Sequence, residues 1–232
     1  MTIYLGIDDT DNHESRGTGR LARMIAAELG QKHRISGVTR HQLFVHSDIP
    51  YTSHNSSAVI HIEGQENGSL REIFACTREI MLAEFVEGSD PGICIASARH
   101  VADHLVTFGQ RAKTTVLTQA EARDLARRHG IALEGLGGTN DGIIGALAGI
   151  GLAASGNDGR YILRGRSRDL TGRQTVEALL ACGIDRVVTP DGRPVIEGVV
   201  DIRKFPKPAR QNGRAVLWVE ENGGAYRDLV VG

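Results

Sequence analysis

Aromatic residues are the scarcest component of this chain. They make up only 4% of 232 residues, with one Trp, four Tyr and five Phe. A core must therefore be built from Val, Ile, Leu and Ala. Cysteine is nearly absent too, and Cys76, Cys94 and Cys182 lie too far apart for a C-x-x-C metal site or a disulfide framework, so reduced thiols are expected. Charge of one sign is also missing. The net charge of −1 argues neither for nor against a polyanionic partner. No apolar run approaches membrane-spanning length and no basic-then-apolar leader is visible, so a cytoplasmic protein without a membrane partner is expected. Gly-Lys never occurs, which excludes a P-loop of the G-x-x-x-x-G-K-[ST] type. H-E-x-x-H and D-x-D-x-T are absent as well, and no internal repeat is visible.

What is present begins at the first turn. Thr2 to Ile7 reads as a buried strand that ends in Asp8, Asp9, Thr10 and Asp11. Carboxylates at the C-terminal end of a strand stand where α/β sheets place ligand chemistry. Three of them this close repel one another, and a divalent cation such as Mg2+ would offset the repulsion. The same residues also suit a solvated Asx turn. Next come Gly17, Thr18, Gly19 and a helix marked by Leu21, Ile25, Ala26 and Leu29. The string fits G-x-G-x-x-[GA], but the gap from Asp8 to Arg16 separates it from the strand and rules out a dinucleotide fingerprint. A glycine-led helix start still offers N–H groups to a phosphate.

Periodicity then predicts a strand over Gln42 to His46, a polar loop over Ser47 to Ser57 and a strand over Ala58 to Glu63. An amphipathic helix over Leu70 to Val86 and a short strand over Ile93 to Ala96 follow. A helix over Ser97 to Phe108 would set His100 and His104 one turn apart, most simply as helix surface. Thr114 to Leu117 reads as a strand, and Thr118 to Glu121 as a capping box.

A second glycine-rich stretch, Gly135, Gly137 and Gly138, runs through Asn140 and Asp141 into a helix of Gly, Ala and Ile from Gly142. Each helical glycine costs roughly 1 kcal/mol, so such a helix persists only where another backbone packs close. Composition shifts near Ser155 to Gly159, dividing the chain into residues 1–155 and a smaller α+β, β-rich part over 156–232. Between 156 and 214 there are 12 Lys and Arg against 7 Asp and Glu, a local excess of +5 that suits either a solvated face or a phosphate backbone.

Three stretches together, Gly6 to Asp11 (GIDDTD), the Pro50 to Ala58 loop with Asn55, and Gly142 to Gly151 (GIIGALAGIG), resemble the archaeal tRNA 2-agmatinylcytidine synthetases. The likeness covers roughly the first 170 residues as scattered motifs. That family modifies the anticodon cytidine of an isoleucine tRNA, using ATP to activate a carbonyl oxygen that an amine then displaces. The resemblance implies an α/β fold of the α+β kind, a kinase-like mixed-sheet domain with a ferredoxin-like subdomain. It also implies ATP and Mg2+ as cofactors. Asp8, Asp9 and Asp11 would hold metal. Gly17, Thr18, Gly19, Gly137, Gly138, Asn140 and Asp141 would face the phosphates, with Asn55 near the nucleotide. The sequence departs from the family where Thr18-Gly19-Arg20 follows Gly17 in place of Cys-Thr-Thr. The family's OB-fold and zinc ribbon, which help hold tRNA, are not expected here either. The acceptor therefore stays open between a small molecule and RNA. A Mg2+-dependent, ATP-using enzyme is the leading expectation, and a nucleotide- or metabolite-binding sensor without turnover is the alternative.

Overall fold

The computed structural model describes residues 1–12, 17–49, 55–64 and 69–231. The expected polar loops at 12–16 and 47–57 fall partly outside these residues. Two compact units divide the chain at Met1–Ser155 and Gly156–Gly232.

The first unit opens with β1 (Thr2–Asp8), α1 (Thr18–Leu29), β2 (Arg34–Gln42), β3 (Ser56–Glu63), α2 (Ser69–Ala83) and β4 (Gly92–Ser97). The strands lie in the order β4-β1-β3-β2 with every neighbouring pair antiparallel. This βαββαβ arrangement is the ferredoxin-like topology. β5 (Ala132–Gly135) adds antiparallel to β4 at the edge. Alternation along β1 sorts its side chains. Tyr4, Gly6 and Asp8 face α5 (Gly142–Ser155), whereas Ile3, Leu5 and Ile7 point to the other face, which α1 and α2 cover. With α3 (Asp103–Arg111) and α4 (Gln119–Arg128) packed on α5, the sheet is enclosed on both faces.

The glycines of α5 have the structural reason that their cost demands. A Cβ on Gly149 would press against Ser57 and Val59 of β3, and one on Gly151 would overlap the carbonyl of Leu105 in α3. At Gly6 the intruding Cβ would come closer than 3.0 Å to the Ala146 carbonyl oxygen. Strand and helix thus touch backbone to backbone, and the core between them consists of Tyr4, Val59, Cys94, Leu147, Ile150 and their neighbours. Burial pushes the Cys94 thiol well above its usual range, so it sits there as an inert apolar group.

Several expected elements move. The strand expected at Gln42 to His46 is instead β2, eight residues earlier at its start. It carries a register irregularity between Ile35 and Gly37 and buries Thr39 and His41. Thr114 to Leu117 forms no strand. α3 begins only at Asp103, so His100 and His104 do not share a helix. The His104 ring lies 5.8 Å from that of His129.

The second unit holds β6 (Arg160–Leu163), β7 (Gly172–Thr175), α6 (Val176–Ala181), β8 (Arg186–Val188), β9 (Val199–Ile202), β10 (Ala209–Gln211), β11 (Arg214–Asn222) and β12 (Ala225–Leu229). Its strands run β6-β10-β11-β12-β9-β7, with β8 parallel to β11. Val176, Leu179, Val187, Val200, Ile202, Leu217 and Val219 form its core. Among the described residues no helix is long and apolar enough to cross a membrane.

Candidate active site

At the end of β1 the chain turns sharply. Asp9 adopts a left-handed backbone (φ 50°), a conformation costing a non-glycine residue roughly 1 kcal/mol that Asp tolerates better than most. Asp8 therefore stays on the strand, against the first turn of α5, while Asp9 and Asp11 follow in the turn. The Asp11 carboxylate accepts from the Thr18 hydroxyl at 2.8 Å and the Thr18 amide at 3.3 Å, tying the acidic turn to the start of α1. Asp90 arrives from the neighbouring strand's approach, because Asp8 pairs with Gly92 in the β1–β4 ladder. Its backbone carbonyl accepts from the Gly142 amide at 3.0 Å, and its carboxylate accepts from the Thr139 amide. Asp141 is gripped from two sides, by Gln119 Nε2 at 2.7 Å and the Thr139 hydroxyl at 2.9 Å.

These five aspartates, Asp8, Asp9, Asp11, Asp90 and Asp141, line one cleft of about 380 Å³ together with a sixth, Asp48. Apolar residues share the lining, namely Leu43, Ile49, Ala112, Val116, Leu117 and Ile144. The electrostatics follow from crowding. Burial first, then the charge of Asp9, pushes the Asp8 carboxyl up to about 8. Burial and then the charges of Asp90, Asp11 and Asp141 raise Asp9 to about 6, against an opposing hydrogen bond from the Asp90 amide. Carboxylates in this condition call for positive charge, and their hard oxygens suit Mg2+. Among the described residues no three His, Cys, Asp or Glu side chains close on a single point. The donor set thus fits the usual Mg2+ arrangement, one or two carboxylates with water and phosphate oxygens completing the shell, rather than an all-protein cage.

The cleft collects Asp8, Asp9, Asp11, Thr18, Asn55 and Asp141 from the residues singled out by sequence. The Asn55 amide nitrogen is committed to the Phe44 carbonyl at 2.6 Å, so this residue shapes the wall. Gly17, Gly19, Gly137, Gly138 and Asn140 do not line it. Gly17 borders a separate hollow with Thr10 and Arg20. A Cβ on Gly137 would strike Phe85, and one on Gly138 would strike Asp90, so the second glycine loop is shaped by packing around Asp90. In the sequence Asp90 reads as the start of an Asp90-Pro91-Gly92 turn and Thr118 as a helix cap. The cap is real, with Thr118 and Glu121 in a reciprocal capping box, yet Thr118 and Gln119 also form the cleft wall. Only the chain's return to the sheet end could have shown that.

An acidic cleft at one end of a ferredoxin-like sheet, beside a glycine-rich helix, is what fold and site define together. The same fold occurs in solved structures of TiaS, the agmatidine synthetase of an isoleucine tRNA. The apo form is 24% identical, covering 65% of this chain and 35% of that one with a TM-score of 0.55. The TiaS complex with that tRNA and ATP is 25% identical over 65% of this chain and 36% of that one, with a TM-score of 0.57. A tRNA fluorescent labeling enzyme matches with the same identity, coverage and score. The chain spans about a third of the length of these proteins. No protein-family model and no curated protein matches the sequence. The resemblance read from GIDDTD and the glycine–alanine helix is thus borne out in the fold.

Proposed function

We propose that the chain is an ATP-using enzyme that activates an RNA acceptor, with the cleft as its Mg2+- and nucleotide-binding site. The observation that carries this reading is the pairing of six aspartates with apolar residues in one cleft, on a fold shared with a structure solved with tRNA and ATP. A purine needs an apolar slot, and Val116, Leu117 and Ile144 supply one. A triphosphate is repelled by carboxylates unless metal lies between them, and one or two of Asp8, Asp9 and Asp11 would hold it, with water and phosphate oxygens completing its shell. When bound, Mg2+ would neutralise the phosphate charge that develops in transfer.

The chain's own contribution is positioning. The Thr18 bonds fix Asp11, Gln119 and Thr139 fix Asp141, and the Asp90 amide fixes Asp9, so the carboxylates are oriented before any ligand enters. The apolar residues keep water from the base. The test is ATP turnover with Mg2+, products resolved, for wild type and Asp9→Asn in the presence of unmodified tRNA. Release of AMP or ADP that falls at least about 100-fold in the variant is expected. Tight ATP binding without turnover on any acceptor would refute the enzyme and leave a nucleotide sensor.

A further inference from the structure

The two units divide the chain's charge unequally. Residues 1–155 carry 14 Lys and Arg against 18 Asp and Glu, a net of −4, and residues 156–232 carry 13 against 10, a net of +3. In the second unit four of the thirteen cations are gathered onto two aromatic rings. The Arg168 guanidinium lies 3.9 Å from the centre of the Phe205 ring, and Lys207 Nζ lies 5.1 Å from the same ring. Arg164 and Arg210 share Tyr161 at 5.3 and 6.0 Å, and Arg210 also donates to the Tyr161 hydroxyl at 2.6 Å. The two groups are linked, because Arg168 donates to the carbonyl of Ile162, next to Tyr161, at 3.2 Å.

Cation–π contacts of about 0.5–1 kcal/mol each hold these four cations on the two rings. Asp185 answers Arg164 at 3.2 Å. Arg168 and its neighbours Arg166 and Lys204 are exposed to solvent. Pro206 and Pro208 flank Lys207 and stiffen the segment that carries it. The guanidinium of Arg168 is thus ordered beforehand, which lowers the entropy cost of engaging a ligand. A planar fork fixed on a ring suits phosphate oxygens, and repeated cations on one surface suit a repeating anion.

We propose that this face of the C-terminal unit, centred on Arg168, Phe205 and Lys207, binds the phosphodiester backbone of a folded RNA. The choice of RNA among polyanions rests on the proposed function; the cationic face itself does not. The first unit is net acidic, and the net positive charge of the chain lies in the second.

The test uses the full chain and a fluorescein-labelled tRNA transcript, with anisotropy measured against salt in the absence of ATP. Arg168→Glu/Lys207→Glu is compared with wild type and with Arg173→Glu, a single reversal at an exposed position of β7. The double variant is expected to bind at least about tenfold more weakly, with a shallower salt slope by roughly 1–2, while Arg173→Glu stays within about twofold. Emission of Trp218, the single Trp, reports whether the second unit remains folded. Should it change, Arg168→Gln/Lys207→Gln gives the same comparison with milder substitutions. Salt-independent or absent RNA binding by wild type would overturn the proposal. So would equal loss in Arg173→Glu, or competition by polyglutamate as effective as by RNA. ATP binding, measured separately, is expected to be unchanged in the double variant. Its absence from wild type would refute the nucleotide site and leave the RNA result standing.

Discussion

Gly6→Ala is the sharpest probe of how this site is built. Gly6 lies mid-strand with ordinary extended backbone, so alanine brings no conformational strain and even reduces unfolded-state entropy by about 0.5–1 kcal/mol. The difficulty is space. The added Cβ would sit 3.2 Å from both Ala146 C and Ile150 Cγ1, and closer still to the Ala146 carbonyl oxygen. Backbone cannot rotate out of the way as a side-chain tip can, so α5 must lift from the sheet by several tenths of an ångström. Overpacking of this kind costs about 1–3 kcal/mol, and a backbone target places it at the upper end. The net loss is about 2 kcal/mol. For a unit of this size each kcal/mol lowers Tm by about 2–4 °C, giving roughly 4–8 °C. Far-UV circular dichroism follows the first unit, which holds the helices α1 to α5, while Trp218 emission follows the second and should not move. A loss under about 0.5 kcal/mol would refute the close packing of β1 on α5.

Two further outcomes follow from the cleft. Asp8 and Asp9 have folded-state pKa values above their unfolded value of 3.8, at about 8 and about 6. The folded chain therefore binds protons more tightly, and without divalent cations stability falls as pH rises from about 4 to about 8. Urea midpoints in EDTA at pH 5 and pH 8 check this. Asp8→Asn should flatten the profile and Mg2+ should raise the pH 8 midpoint, and a midpoint that climbs with pH would contradict the assignment. Gly145→Ala acts on a movable group, since its Cβ would displace the Asp8 carboxylate. Stability should stay within about 1 kcal/mol, helped by helix propensity, while calorimetry shows Mg2+-ATP binding weakened about tenfold or more. Unchanged affinity would remove Asp8 from the site.

α1 and α2 were legible through a one-sided apolar rhythm, β1 as an apolar run buried on both faces, α4 through its capping box, and α5 through the cost of its glycines. β2 was misplaced because its buried face carries Thr39 and His41; the Thr39 hydroxyl lies 2.7 Å from His41 Nε2 and 2.8 Å from His61 Nε2, a polar cluster that no hydropathy pattern marks. β5, β7 and β10 are short and only partly buried, so alternation had nothing to register. At the site, the acidic turn announced itself through local crowding. Asp90, Thr118 and Gln119 did not, because Asp90 reaches the acidic turn through the pairing of β1 with β4, and Thr118 and Gln119 reach the cleft through the packing of α4 on α5. Conversely, Gly137 and Gly138 looked like phosphate-loop residues and are instead where Phe85 and Asp90 need room.

The helix α5 has one more consequence, for the order in which the protein is made. Four of its fourteen residues are glycine and nearly all are buried, so it has little reason to form before sheet and α3 are there to receive it. The cleft joins Asp8, near the start of the chain, to Asp141 and Gly145, close to the end of the first unit. A ribosome-bound chain therefore carries its acidic turn for most of the unit's synthesis before any pocket exists around it. Nucleotide capture becomes a late event, and a chain interrupted before Gly142 should hold no ATP however well its ferredoxin-like part has folded.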